Sequence, residues 1–195
     1  MKEIPILFST PMVQAILEGR KTMTRRVVKQ PLDNRGVRTT NVPFEDWHGN
    51  EIKCPYGQVG DTLWVRETFK WSTAIPTQAI YKADYTEQEL KEHPVKWKPC
   101  LFMPREACRI FLKITNIRVE RLQDISVQDA INEGIENIKE GDPYGFKIYS
   151  NGNIQGSTGG THISFASLWQ SINGEQSWNN NPWVWVVEFE KVNRP

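Results

Sequence analysis

The longest alternating run in the chain extends from Ala107 to Leu122. Ile110, Leu112 and Ile114 are apolar, while Arg109 and Lys113 are charged, the period of two that a half-buried strand requires. The phase slips near Thr115-Asn116, after which Ile117 and Val119 are apolar and Arg118 and Glu120 are charged. A bulge, or two strands in succession, accommodates such a slip. A second alternation near the C-terminus sets Trp183, Trp185, Val187 and Phe189 against Val184, Val186, Glu188 and Glu190. Shorter strands are expected at Ile4–Ser9, Arg26–Lys29, Thr62–Glu67 and Ala79–Ala83. Helices are expected from Thr10 to Gly19, around Thr86–Lys91, from Ser126 to Gly134, and over Ser164–Ile172, where Phe165, Leu168, Trp169 and Ile172 share one face. Strands and helices do not alternate regularly, so a parallel α/β sheet is excluded. An α+β fold, a mixed β-barrel with helices at its ends, is favoured.

The 195 residues are ample for one self-sufficient core, and one domain spanning 1–195 is expected. Long irregular insertions near 30–57, 84–106 and 135–162 interrupt it. Gly141 to Gly160 is expected to be a flexible glycine-rich loop without the strand–helix frame of a nucleotide-binding loop. A net charge of +1 supplies no global attraction to nucleic acid, but the charge is unevenly placed. Residues 1–38 hold eight Lys/Arg against three Asp/Glu, whereas residues 120–142 hold two against seven. A basic site facing an acidic element within one fold is the simplest consequence. Cys54, Cys100 and Cys108 are odd in number and form no CxxC pair, and His48, His93 and His162 are scattered, so neither a metal nor any other cofactor is expected. The apolar run after Met1-Lys2-Glu3 is too short for a secretory leader, and no stretch approaches membrane-spanning length. A reducing, cytoplasmic setting without a membrane partner is expected, and the oligomeric state is left open.

The densest chemistry lies just after the first helix. Thr10-Pro11 opens that helix as N-cap and first-turn proline, Met12, Val13, Ile16 and Leu17 form its apolar face, and Gly19 stands at its end. Five of the ten residues from Arg20 to Lys29 are basic, which points to an anionic partner or to a solvated turn. The run Gly19-Arg20-Lys21-Thr22-Met23-Thr24-Arg25-Arg26 resembles the glycine–x–lysine–(x)4–arginine signature of ASCH domains, with Gly19, Lys21 and Arg26 in the signature positions. ASCH domains belong to the PUA-like group of small β-barrels that handle RNA. The wider run from Ile16 to Thr24 is similar to the opening motif of bacterial ASCH amidohydrolases that deacetylate acetylcytidine. A Gly60-Asp61 turn before the strand at Thr62 also recurs in PUA-like barrels. Leu122-Gln123-Asp124-Ile125-Ser126, with Glu133 after it, resembles the stretch carrying the acidic member of the amidohydrolase triad.

The resemblance covers the first 29 residues, Gly60–Val65, Leu122–Gly134 and the final strand. It implies a PUA-like barrel with a catalytic set of Lys21, Thr24 and Glu133, and a modified nucleoside or RNA as partner. Threonine is a weak nucleophile that needs a base, which a desolvated lysine can supply. Arg20, Arg25 and Arg26 would lower the Lys21 pKa and Glu133 would raise it. If the arginines prevail, neutral Lys21 deprotonates Thr24; if Glu133 prevails, charged Lys21 steadies the oxyanion while Glu133 moves protons. Three residues apart on one strand, Lys21 and Thr24 would face opposite sides, so their convergence requires a turn. Arg20, Arg25, Arg26 and Glu67 are candidate substrate or nucleic-acid contacts, with Glu67 equally able to pair with Arg66 or Arg26. Trp47 and Trp71 are candidates for stacking a base, while Trp183 and Trp185 are expected in the core. The alternative to an amidohydrolase is an ASCH module that binds RNA or a nucleotide without hydrolysis, or the ribonuclease activity credited to some ASCH proteins.

Overall fold

A computed structural model describes residues 1–29, 44–45, 48–92, 94–139, 141–142, 145–150, 153–155 and 160–195. In chain order the elements are β1 (Glu3–Leu7), α1 (Thr10–Leu17), β2 (Met23–Val27), β3 (Phe44–Glu45), β4 (Glu51–Ile52), β5 (Thr62–Arg66), β6 (Phe69–Trp71) and β7 (Ala79–Tyr81). They continue as α2 (Glu87–Glu92), β8 (Phe111–Arg121), α3 (Val127–Asn132), β9 (Ile148–Ser150), β10 (Asn153–Gln155), α4 (Thr161–Asn173) and β11 (Trp183–Val192). The protein is a mixed α+β fold with a five-stranded mixed sheet in the order β1-β5-β8-β11-β2. β1 runs parallel to β5, whereas β5–β8 and β11–β2 are antiparallel. Three two-stranded pairs, β3–β4, β6–β7 and β9–β10, stand beside it.

Contacts gather into two compact units, each assembled from separated segments: residues 1–19, 56–115 and 189–195, and residues 20–55 and 116–188. In the first unit, Asp61 ties the start of β5 to the N-terminus by accepting from Lys2 N–H (2.7 Å) and Gln58 N–H (3.2 Å). Those bonds hold its carboxyl below the usual range despite the opposing cost of desolvation. A local core of Phe69, Met103, Ala107, Cys108 and Phe111 is flanked by Trp64, Trp71 and Tyr81. In the second unit, Met23, Val184 and Val186 from β2 and β11 pack with Leu122, Ile125, Ala130, Ile135, Phe146, Phe165 and Trp169. Ala130 of α3 and Phe165 and Trp169 of α4 are the buried helical members of that core.

β8 is one continuous strand, and the slip expected at Thr115-Asn116 is visible as two adjacent exposed residues that reverse its buried parity. The strand expected at Arg26–Lys29 begins three residues earlier, at Met23. Pairing with β11 extends from Met23↔Glu188 to Val27↔Val184, and ladder bonds and the burial of Met23 outweigh the polar run Thr24-Arg25-Arg26. α4 starts at Thr161, and Ile172 leaves the expected apolar face at 51% exposure. Within the expected flexible loop from Gly141 to Gly160, residues 148–150 and 153–155 pair as an antiparallel ribbon. Trp185 is in the core, edge-on to Phe44 at 5.0 Å, whereas Trp183 is half-buried with the Arg121 guanidinium 4.5 Å from its ring centroid. No described helix is long and apolar enough to cross a membrane.

Candidate active site

The stretch leading into β2 and the C-terminal end of α3 converge in the second unit. Gly19, at a φ of +78° that suits a residue without Cβ, closes the turn after α1 and releases the chain toward β2. α3 is only six residues long and is fixed at both ends: Ser126 Oγ accepts from Asp129 N–H (3.1 Å), and Glu133 is the C-cap, its N–H bonded to Asp129 O (2.9 Å). Thr22 N–H then donates to Asn132 O (2.9 Å), and Lys21 and Glu133 form an antiparallel bridge. Backbone pairing therefore places the two side chains together before any charge attraction is considered.

Lys21 Nζ donates to Glu133 Oε2 (2.7 Å) and to the Glu133 carbonyl (2.8 Å). Both residues are buried, at 3% and 6% exposure. The other carboxylate oxygen, Oε1, accepts from Arg25 Nη1 (3.3 Å). Arg25 in turn donates through Nε and Nη2 to Glu120 Oε1 (3.2 and 2.6 Å) and through Nη2 to Asp129 Oδ2 (2.9 Å). Its guanidinium lies 5.8 Å from the Phe165 ring centroid. Arg118 continues the chain of charges, bonding Glu120 Oε2 (2.9 Å), Asp129 Oδ2 (2.5 Å) and Glu188. Burial pulls the Lys21 ammonium below its usual pKa. The Glu133 carboxylate works against that lowering, and Arg26 and Arg25 add to it. The balance among these groups is thus set chiefly by desolvation rather than by the arginines. A lysine whose proton is loosened by burial, yet held on a carboxylate, is equipped to carry a proton in either direction.

Thr24 is buried on β2 between Met23 and Arg25. Strand alternation puts Met23 and Arg25 on the face that meets Glu133, and Thr24 and Arg26 on the opposite one, opposite Val187 and Trp185 in register. Thr24 enters none of the hydrogen bonds just described. The segment is extended from Met23 onward, so Lys21 meets Glu133 while strand alternation sets Thr24 on the face opposite Arg25. Arg20 Nη1 donates to Gly134 O (2.8 Å), and Arg26 is half-buried.

Glu67 belongs to the first unit. It is 1% exposed and pairs with Arg109 through both oxygens (2.9 and 3.1 Å), not with Arg66 or Arg26. Burial pushes the Glu67 carboxyl up, against the pull of Arg109. Trp71 is half-buried and packs edge-on to Phe69 at 5.7 Å. Trp47 lies outside the described residues. Among the described residues, no group of three or more His, Cys, Asp or Glu is placed to hold a metal ion.

The chain matches no protein-family model, no curated protein and no solved structure. The site stands on its own geometry.

Sequence reasoning did not assign Glu120, Asp129, Arg118 or Glu188 to the site. Two signals pointed toward them: the acidic excess of residues 120–142, and the charged parity of Arg118 and Glu120 beyond the slip in β8.

Proposed function

We propose that this protein is an ASCH-type amidohydrolase that removes the acetyl group from an acetylated cytidine-like nucleoside, and that its mixed sheet is the frame of a PUA-like barrel. The observation that carries this reading is the buried Lys21–Glu133 pair, whose lysine is tilted by burial toward giving up its proton. Hydrolysis of an amide needs a base for the attacking oxygen and an acid for the leaving nitrogen, and a lysine whose pKa is lowered by burial can serve as both in turn. In a covalent route, which requires Thr24 to reach the Lys21 side of β2, Thr24 Oγ1 attacks the acetyl carbon as its proton passes to the neutral form of Lys21. Lys21 then protonates the amine as the C–N bond breaks, releasing cytidine. Water hydrolyses the threonyl ester to acetate and restores the hydroxyl.

The alternation of β2 favours a second route to the same products. With Thr24 and Glu133 on opposite faces, a water deprotonated by Lys21 attacks the acetyl carbon directly and no ester forms. Acid quench followed by mass analysis of the Thr24 peptide separates the two: an acetylated peptide marks the covalent route.

An anion-binding cleft is the weaker reading because three of the cations here, Lys21, Arg25 and Arg118, already face carboxylates. Lys21, Arg25 and Arg118 meet Glu120, Asp129, Glu133 and Glu188, three positive groups against four negative ones. Phosphate recognition depends on positive charge that is not neutralised locally. The deciding experiment incubates the protein with acetylcytidine and, separately, with single-stranded RNA. Release of cytidine is expected. RNA fragments, or salt-dependent RNA retention without cytidine release, would replace the amidohydrolase with a nucleic-acid module.

A further inference from the structure

Arg25 makes five side-chain hydrogen bonds within the second unit, and a substrate contact does not explain them. Its guanidinium bonds three carboxylates on two elements: Glu120 from β8, Asp129 from α3, and Glu133 at the end of α3. Nη1 also reaches Met23 Sδ at 3.3 Å, and Phe165 of α4 covers the group from another side. The side chain is 1% exposed. A guanidinium bonded to three carboxylates and roofed by an aromatic ring offers little edge to a ligand, but it fixes where those carboxylates sit.

We propose that Arg25 is a positioning residue of the Lys21–Glu133 site: by holding Glu133 Oε1 it keeps Oε2 on Lys21 Nζ, and its own positive charge limits how tightly Glu133 retains the lysine proton. The inference rests on reading Lys21–Glu133 as the reactive pair. A carboxylate shared between two cations attracts each less than it would attract one alone. Glu133 is shared in this way, with Lys21 on one oxygen and Arg25 on the other. Among the described residues, Glu133, Arg26 and Arg25 bear on Lys21, and both arginines disfavour its protonation. Behind Arg25, Glu120 and Asp129 are shared with Arg118, which Glu188 of β11 holds from the far side. These carboxylates divide the Arg25 charge as Arg25 divides that of Glu133. The network has alternating signs, so successive members act on Lys21 in opposite directions.

That alternation supplies the test. The Lys21 titration is followed in the full chain by the side-chain carbon signals of labelled lysine, with Lys21→Met identifying the resonance. Arg25→Gln is expected to move the Lys21 midpoint up by about one pH unit, the size of effect a nearby like charge produces. Arg25→Lys keeps the charge and is expected to return most of that shift. Glu120→Gln removes a negative charge that competes for Arg25, and is expected to move the midpoint down. An unchanged midpoint in folded Arg25→Gln, or a shift of the same sign in Glu120→Gln, overturns the proposal. If Arg25→Gln does not fold, the sign of the Glu120→Gln shift decides alone. None of these measurements needs a substrate, so they stand even if acetylcytidine is not hydrolysed. Where it is hydrolysed, the pH profile of kcat/KM is expected to move with the midpoint in each variant. A merely structural Arg25 would change the melting temperature and leave both the midpoint and the profile in place.

Discussion

Each unit of the molecule contains a nearly buried glutamate held by a cation, yet the two pairs are suited to different work. In the first unit, Glu67 is gripped at both oxygens by Arg109, whose guanidinium lies 3.9 Å from the Tyr81 ring centroid and also bonds Asp84. In the second, Glu133 is divided between Lys21 and Arg25. Arginine does not release its proton in a protein, so the Glu67–Arg109 pair is a clamp. Lysine can release it when desolvated, and burial lowers the Lys21 pKa, so Lys21–Glu133 is the pair suited to proton transfer under the proposed reading. A buried ion pair by itself says little about function. The identity of the cation, and whether its carboxylate is shared, separates a clamp from a candidate catalytic group.

The largest expected effect breaks the comparison on the catalytic side. Glu133→Gln should lower the rate of acetylcytidine hydrolysis about 10²–10⁴-fold, the range of a lost acid–base group. The change is nearly isosteric, and burial already favours neutral Lys21, so the lysine can shed its charge when its partner is gone. The melting temperature should therefore fall only modestly. A collapse in stability with proportionate loss of activity would make Glu133 a second clamp.

Next in size is the reverse experiment. Glu67→Gln should cost about 3 kcal/mol in urea unfolding, the low end for breaking a buried pair, because Arg109 retains Asp84 and is 26% exposed. Hydrolysis per folded molecule should be unchanged. A loss of turnover at undiminished stability would move Glu67 into the catalytic set.

The two groups also differ in the sign of their pH dependence. Lys21 has a folded pKa below its ordinary value, so its contribution to stability is fully present above the unfolded lysine value of about 10.4 and is lost as pH falls through the folded pKa. Glu67 has a folded pKa above its ordinary value, so its contribution is fully present below the unfolded value of about 4.3 and is lost as pH rises through the folded pKa. Each group adds at most about 1.4 kcal/mol per pH unit within its window. Lys21→Met should remove the rise in stability toward alkaline pH, and Glu67→Gln the gain toward acid. Unfolding at a series of pH values measures both, and matching slopes in wild type and variant would show that the group does not titrate abnormally.

Some of this difference was legible in the sequence. The basic excess before residue 38 and the acidic excess after residue 120 do meet, as Lys21 and Arg25 against Glu120, Asp129 and Glu133. Ser126 and Gly134 mark the ends of α3, and Gly19 the end of the turn after α1, because capping chemistry is local. The face on which Thr24 lies was not legible. It depends on the strand starting at Met23 rather than Arg26, and that start is set by Val187 and Glu188, more than 160 positions away. The Glu67–Arg109 pairing was hidden for a similar reason. Arg109 precedes β8 within a run whose alternation marks it only as a non-core position, and its partner is 42 residues distant.

The smallest expected effect compares two helices of equal length. α3 and α2 each have six residues and a hydroxyl at the N-terminus. Thr86 and Glu89 cap α2 reciprocally, Thr86 N–H bonding Glu89 Oε2 (2.8 Å) and Glu89 N–H bonding Thr86 Oγ1 (3.3 Å). Ser126 caps α3 at Asp129 N–H, while the Asp129 side chain is drawn off to Arg25 and Arg118. α2 buries none of its residues, so fraying it exposes little and need not unfold the unit. α3 buries Ala130 and delivers Asp129 and Glu133 to the charge network, so its cap is coupled to the whole unit. Ser126→Ala should cost about 1 kcal/mol of global stability, a typical cap loss, and Thr86→Ala a few tenths at most. Hydrogen exchange resolves the two: Ser126→Ala should speed the slowest amides of β2 and β11, and Thr86→Ala only those of α2. Equal global costs would mean that α2 is as deeply tied to its unit as α3, and the contrast between a helix that carries the site and one that does not would fail.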